Sequence, residues 1–285
     1  MLMKDFLDYS RDIRGLSSRT TAYYYYTLKS WGNYLVSHGL GLDNFTGQDA
    51  VNYLYAIKEK GVQAACINQH RAVLLSFYDW LAAYHGIKGR AVWLSIPKAK
   101  KEKKLPITIA EEVIRNAMQS QNTETFLGSR NYMLLLVMYH TGVRSAELRE
   151  LTLANTDLVE GRIKIFGKGA KERIIPLTKE AVAAIKQYLR FRELFAEQSC
   201  KTLVISKTGK PVDRSSFCRL LKDILKPFTL GEAAHAHSLR HAFATNLLKK
   251  GVDITRISGL MGHTSINTTF SYIPFSVSNS NPFDE

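Results

Sequence analysis

Histidine and arginine recur at a spacing that one helix face would bring together. In His237-Ser-Leu-Arg240-His241 the three basic side chains stand at i, i+3 and i+4, on neighbouring turns. Two imidazoles and a guanidinium so placed can hold phosphate oxygens. They can equally be the polar start of a surface helix whose Leu239, Ala242, Phe243, Leu247 and Leu248 meet a core. Arg144 lies in His140-Thr-Gly-Val-Arg-Ser-Ala-Glu-Leu148, after an apolar helix that Gly142 can end and before one that Ser145 can cap. A guanidinium held there offers a planar, permanently charged fork to two phosphate oxygens, which lysine cannot imitate. The plainer reading is a surface arginine paired with Glu147 or Glu150. Lys168, flanked by Gly167 and Gly169, is either a solvated turn lysine or a cation carried on a hairpin tip. The segment from Gly262-His263 to Tyr272 follows a helix whose Ile254, Ile257 and Leu260 face inward, and could complete a helix-turn-helix DNA reader. The spacing G-x-x-x-x-G-K-[ST] is not matched, so nucleotide hydrolysis gains no support.

The whole chain must position these groups. It has 285 residues, with 39 Lys and Arg against 25 Asp and Glu, a net charge of +14 that favours a polyanionic partner. At 45% hydrophobic and 22% charged residues, with 18 Gly and 7 Pro, it is neither collagen-like, coiled-coil nor mainly disordered, and its length suits two domains. Cys66, Cys200 and Cys218 are far apart and form no C-x-x-C pair, which argues against a disulfide framework or a zinc site and fits a reducing cytoplasm. No run of about 18 uncharged apolar residues is present to span a membrane, and the start, MLMKDFLDYSRD, does not read as a secretory signal.

Residues 1–96 read as successive amphipathic helices, including Ser17–Ser37, Gln48–Lys60 and Ala65–Tyr84, and so as one helical domain. Of the consecutive Tyr23–Tyr26, some must be exposed, because four residues span a helical turn. Residues 97–106 hold five lysines and one glutamate between two prolines and read as a basic linker, with Lys100, Lys101, Lys103 and Lys104 available to a phosphate backbone. Residues 107–285 form the second domain. Its expected helices are Thr108–Gln119, Arg130–His140, Lys179–Phe195, Asp213–Leu225, Ser238–Lys250 and Asp253–Leu260. They surround β runs at 162–166 and 173–176 and a further candidate strand at 153–158.

Taken in order, these segments resemble the tyrosine recombinases, the phage integrase and Xer-type family. The family's first arginine box matches Thr141-Gly-Val-Arg144-Ser-Ala-Glu-Leu148, its hairpin lysine matches Lys168, and its H-x-x-R box matches His237 to Arg240. Its Gly-His box matches Gly262-His263, and its nucleophilic tyrosine, nine residues later, falls on Tyr272. The resemblance is strong from Pro106 onward. It implies a mainly α fold: a helical, SAM-like core-binding domain, then a mixed α/β, mostly helical catalytic domain with a small three-stranded antiparallel sheet.

The implied chemistry needs neither metal nor cofactor. Tyr272 attacks a scissile phosphate to give a 3′-phosphotyrosine, Arg144, Arg240 and His263 stabilise the transition state, Lys168 protonates the leaving 5′-oxygen, and His237 accepts or relays the nucleophile's proton. Glu147 and His241 support them, and Lys171 is a weaker candidate for the acid. The implied partner is duplex DNA held in a C-shaped clamp, with a homo- or hetero-tetramer exchanging strands between two sites in the cytoplasm, at the nucleoid, as in chromosome partition. A type IB topoisomerase-like relaxing enzyme and a catalytically inactive DNA-binding regulator are the alternatives. After Tyr272, Pro274 and Pro282 oppose a regular helix, which puts in doubt the carboxy-terminal docking on a neighbouring subunit seen in Xer-like relatives.

Overall fold

Helix α1 (Leu2–Asp12) buries Phe6, and α2 (Ser18–Ser37) begins where the Ser17 hydroxyl accepts the Thr20 backbone N–H at 3.3 Å. Helix α3 (Gly47–Glu59) starts with a capping box between Thr46 and Asp49, α4 (Ala64–His85) ends at a left-handed Gly86, and α5 (Arg90–Ser95) is a short turn. In this computed structural model residues 1–100, 109–167, 172–229 and 236–262 are described. The chain divides into two compact units, 1–104 and 105–285.

The first unit closes on aromatic side chains. Trp31 of α2 meets Phe45, Tyr53 and Trp93 edge to face, and its indole N–H donates to the Tyr78 hydroxyl at 3.1 Å. Spacing along α2 explains the choice: Leu28, Trp31 and Leu35 turn inward at helical intervals, while Tyr26 in the tyrosine run is exposed. The buried Arg71 of α4 donates to the Ile96 and Leu94 carbonyls. Asn68 exchanges two hydrogen bonds with the Ala99 backbone, at 2.9 and 2.8 Å, so the start of the lysine-rich segment is tied to α4.

In the second unit α6 (Glu111–Gln119) and α9 (Lys179–Phe195) pack against α7 (Phe126–Thr141), whose Met133 to Met138 are all buried. Helix α7 begins four residues earlier than the apolar pattern predicts, because Thr125 caps it by accepting the Gly128 N–H. Helix α8 (Ser145–Glu150) follows. The expected strand at 153–158 is only partly formed: Leu153–Asn155 make a 3₁₀ turn, and β1 is the two residues Thr156–Asp157. It edges an antiparallel sheet in the order β1, β2 (Arg162–Phe166), β3 (Glu172–Pro176), with Ile163 opposite Ile175 and Ile165 opposite Arg173. Helices α10 (Arg214–Leu225), α11 (Ala236–Lys249) and α12 (Ile254–Met261) complete the unit, and Ile257 and Met261 of α12 pack with Phe243 and Ala244 of α11. No described helix is long and apolar enough to cross a membrane.

Candidate active site

The left-handed turn at Gly142 (φ +61°) ends α7 and lets the chain reverse against α11, where a Cβ at residue 142 would stand 2.3 Å from the Phe243 ring. Two residues later Arg144 occupies the position just before α8, the place expected of Ser145. The Glu147 carboxylate reaches back to accept the Arg144 backbone N–H at 2.8 Å and its guanidinium at 2.9 Å. The pairing expected of Arg144 with Glu147 is therefore present, yet it does not make Arg144 an ordinary surface residue. Its other terminal nitrogen donates to the Gly262 carbonyl at 3.0 Å, and the side chain keeps 38% exposure.

Arg240 does not share an outward face with His237. It is 3% exposed and donates to the Gly142 and Met261 carbonyls, whereas His237 is exposed at the first turn of α11 and His241 is half-buried, their rings 6.3 Å apart. The expectation that α11 presents three basic groups to solvent thus gives way to a helix buried on more than its apolar side, with Ser238 and Arg240 inside. Burial on backbone carbonyls is not itself a mark of catalysis, since Arg71, Arg130 and Arg192 do the same elsewhere. What distinguishes Arg240 is which carbonyls it takes: one precedes Arg144 by two residues and the other lies beside Gly262.

Sequence reasoning missed Arg173. Its side chain, 15% exposed, clasps both oxygens of Glu147, at 3.0 and 2.7 Å, and its Nε–H donates to the Leu260 carbonyl at 3.1 Å. The signal was available. In β3, Arg173 shares a face with the buried Ile175 and pairs with Ile165, so it is a charge at an inward-facing strand position and must find a partner. Arg173, Arg240 and Arg144 thereby take the carbonyls of residues 260, 261 and 262 in succession. These groups have no partner within α12 and form the negative end of its dipole. Gly262 (φ +63°) closes the helix so tightly that a Cβ there would lie 2.8 Å from the Arg173 guanidinium.

Glu147, 8% exposed, is the one carboxylate in this cluster as described. Burial pushes its carboxyl up, but the Arg173 guanidinium, with the backbone and side chain of Arg144, outweighs burial and holds it below the usual glutamate range. Three guanidiniums against one carboxylate leave the cluster cationic. Among the described residues no group of three His, Cys, Asp or Glu side chains could hold a metal ion. Of the other expected site residues, Lys100 is exposed, while Lys101, Lys103, Lys104, Lys168, Lys171, His263 and Tyr272 lie outside the described residues. The strands flanking residues 168–171 and the helix that ends at Gly262 are in place around the cluster.

The profile of the phage integrase family matches residues 87–277, two thirds of the chain and all of this cluster. The chain belongs to the phage integrase family. That family's N-terminal SAM-like domain matches residues 3–85. The tyrosine recombinase XerD of Halalkalibacterium halodurans is 33% identical over 276 residues, covering 95% of this chain and 91% of the relative. The tyrosine recombinase XerC of Staphylococcus haemolyticus is 30% identical over 268 residues, covering 94% and 90%. Among solved structures, the XerH site-specific recombinase bound to palindromic difH substrate superposes with a TM-score of 0.77, covering 96% of this chain and 80% of that one, at 22% identity. This integrase-family chain is an enzyme of the tyrosine recombinase class, mainly helical with a three-stranded antiparallel sheet.

Proposed function

We propose that the chain is a site-specific DNA recombinase that breaks and rejoins duplex DNA through a covalent 3′-phosphotyrosine. The observation that carries this reading is the cationic cluster in which Arg144 and Arg240 are tied to consecutive carbonyls at the end of α12, directly before His263. In the proposed step the Tyr272 Oη bonds to phosphorus as the bond from phosphorus to O5′ breaks. The phenolic proton passes to His237, and O5′ takes a proton from Lys168. The phosphodiester energy is retained in the tyrosyl ester, and attack by a 5′-hydroxyl reverses the step. Negative charge gathering on the nonbridging oxygens meets His263, the little of Arg240 that is exposed, and Arg144, the two arginines being held on backbone carbonyls before reaction begins. Arginine suits this work because it stays protonated throughout.

Strand exchange requires two sites held together, and the proposed assembly is four protomers on two duplexes, the relatives being named as recombinases. Both units contribute to DNA binding, with Lys100 and the neighbouring linker lysines on the phosphate backbone. The test uses two end-labelled duplexes of different length, each carrying a site selected by the protein from a random-sequence library. Metal-free incubation should give recombinant lengths with the native chain and none with Tyr272→Phe. Relaxation of supercoiled DNA without recombinant lengths would instead assign the enzyme to the relaxing class.

A further inference from the structure

We infer that Arg173 is a positioning residue for the proposed cleavage step: by occupying both oxygens of Glu147 and the Leu260 carbonyl, it keeps Arg144 charged toward substrate and fixes the turn that leads into His263. This inference rests on the recombinase reading. The geometry behind it is specific. Glu147 accepts from two guanidiniums: that of Arg173 takes both its oxygens, whereas that of Arg144 gives one nitrogen to Oε1 and another to the Gly262 carbonyl, with the uncharged Arg144 backbone N–H on Oε2. Arg144 is also more than twice as exposed as Arg173, at 38% against 15%. The carboxylate's charge is therefore spent mainly on Arg173, and Arg144 keeps net positive charge and free surface on the open side. Without Arg173, Arg144 would be the one guanidinium left on Glu147 among the described residues, and the carboxylate's charge would fall on it, neutralising it and drawing it inward.

The second contact adds a mechanical link. Arg173 stands in β3, just beyond residues 168–171, and binds the last turn of α12 through Leu260, next to a left-handed glycine (φ +63°) against which its guanidinium packs. One residue thus spans the sheet, the start of α8 and the end of α12. Gln at position 173 can supply neither the charge nor the fork. Lys can supply the charge alone.

The experiment measures single-turnover cleavage at saturating protein, with the full chain, on a nicked duplex bearing the selected site. Native chain, Arg173→Gln, Arg173→Lys and the double variant Arg173→Gln with Glu147→Gln are compared, and DNA affinity and thermal midpoint are measured alongside. A second duplex carries sulfur in place of the bridging 5′-oxygen, a leaving group that needs no acid. For Arg173→Gln we expect affinity within about twofold of native and a cleavage rate lower by about 100-fold, the scale of a misplaced reacting geometry. The sulfur substrate should leave that loss in place, because the defect lies with the phosphate charge and not with protonation. Replacing Glu147 in the same chain should restore part of the rate, since a neutral amide no longer sequesters Arg144, and a purely structural loss would not be repaired this way. Arg173→Lys should fall between native and Gln, and it carries the test if the Gln variant fails to fold. A native rate in either single variant, or full recovery on the sulfur substrate, overturns the inference while native adduct formation leaves the recombinase reading intact. Absence of adduct with the native chain overturns both.

Discussion

At Arg144 a permanent charge is held half in and half out of the protein, and its partners explain why lysine is a poor substitute. The guanidinium meets Glu147 and the Gly262 carbonyl with two different nitrogens while keeping an exposed side. Arg144→Lys should therefore lower the cleavage rate by about 10²- to 10³-fold, the range for loss of a preorganised donor to a developing oxyanion, with DNA affinity largely kept. Glu147 makes a separate prediction. Its folded carboxyl titrates below the unfolded one, so its stabilising contribution is complete above the ordinary glutamate range and is lost as pH falls through the lower, folded value. Glu147→Gln should flatten the acid limb of stability against pH in chemical denaturation, leaving the neutral limb parallel to native. Residue type and order made Arg144, Arg240 and Glu147 legible in the sequence. Arg173 was not, because its importance lies in facing inward from a strand, a fact of register that the hydrophobic alternation of β3 only hints at.

Among the elements, α12 and its closing glycine set the frame for the cluster, and the turn at Gly142 sets the frame for Arg144. Gly142→Ala would need both a left-handed backbone and space already filled by Phe243. It should cost about 1–3 kcal/mol of unfolding free energy, read from a lowered denaturation midpoint at unchanged slope. Helices with long apolar stripes, such as α2, α4 and α9, were legible from periodicity. Boundaries were less so where side chains rather than periodicity decide them: Thr125 draws α7 back to Phe126, and α6 begins at Glu111 instead of Thr108. The segment at 153–158 carries strand-forming residues, yet a backbone hydrogen bond from Asn155 to Thr152 winds its first half into a 3₁₀ turn and leaves only Thr156 and Asp157 to pair with β2.

The whole molecule carries +14, and the proposed recombinase converts that excess into phosphate contacts. DNA affinity should fall steeply with salt, with a log–log slope of about −0.9 for each phosphate neutralised. A flat response would remove the electrostatic part of the account. Gln in place of Lys100, Lys101, Lys103 and Lys104 should weaken binding to all duplexes alike and make the slope shallower, since backbone contacts carry no sequence information. The central claim is covalent chemistry at Tyr272, and the most direct measurement is denaturing-gel capture on a selected site whose nick lets the cleaved fragment diffuse away. The native chain without metal should give a protein–DNA adduct at the 3′-phosphate, and Tyr272→Phe should give none. Tight binding of the native chain with no adduct, or an adduct that survives Tyr272→Phe, would contradict it.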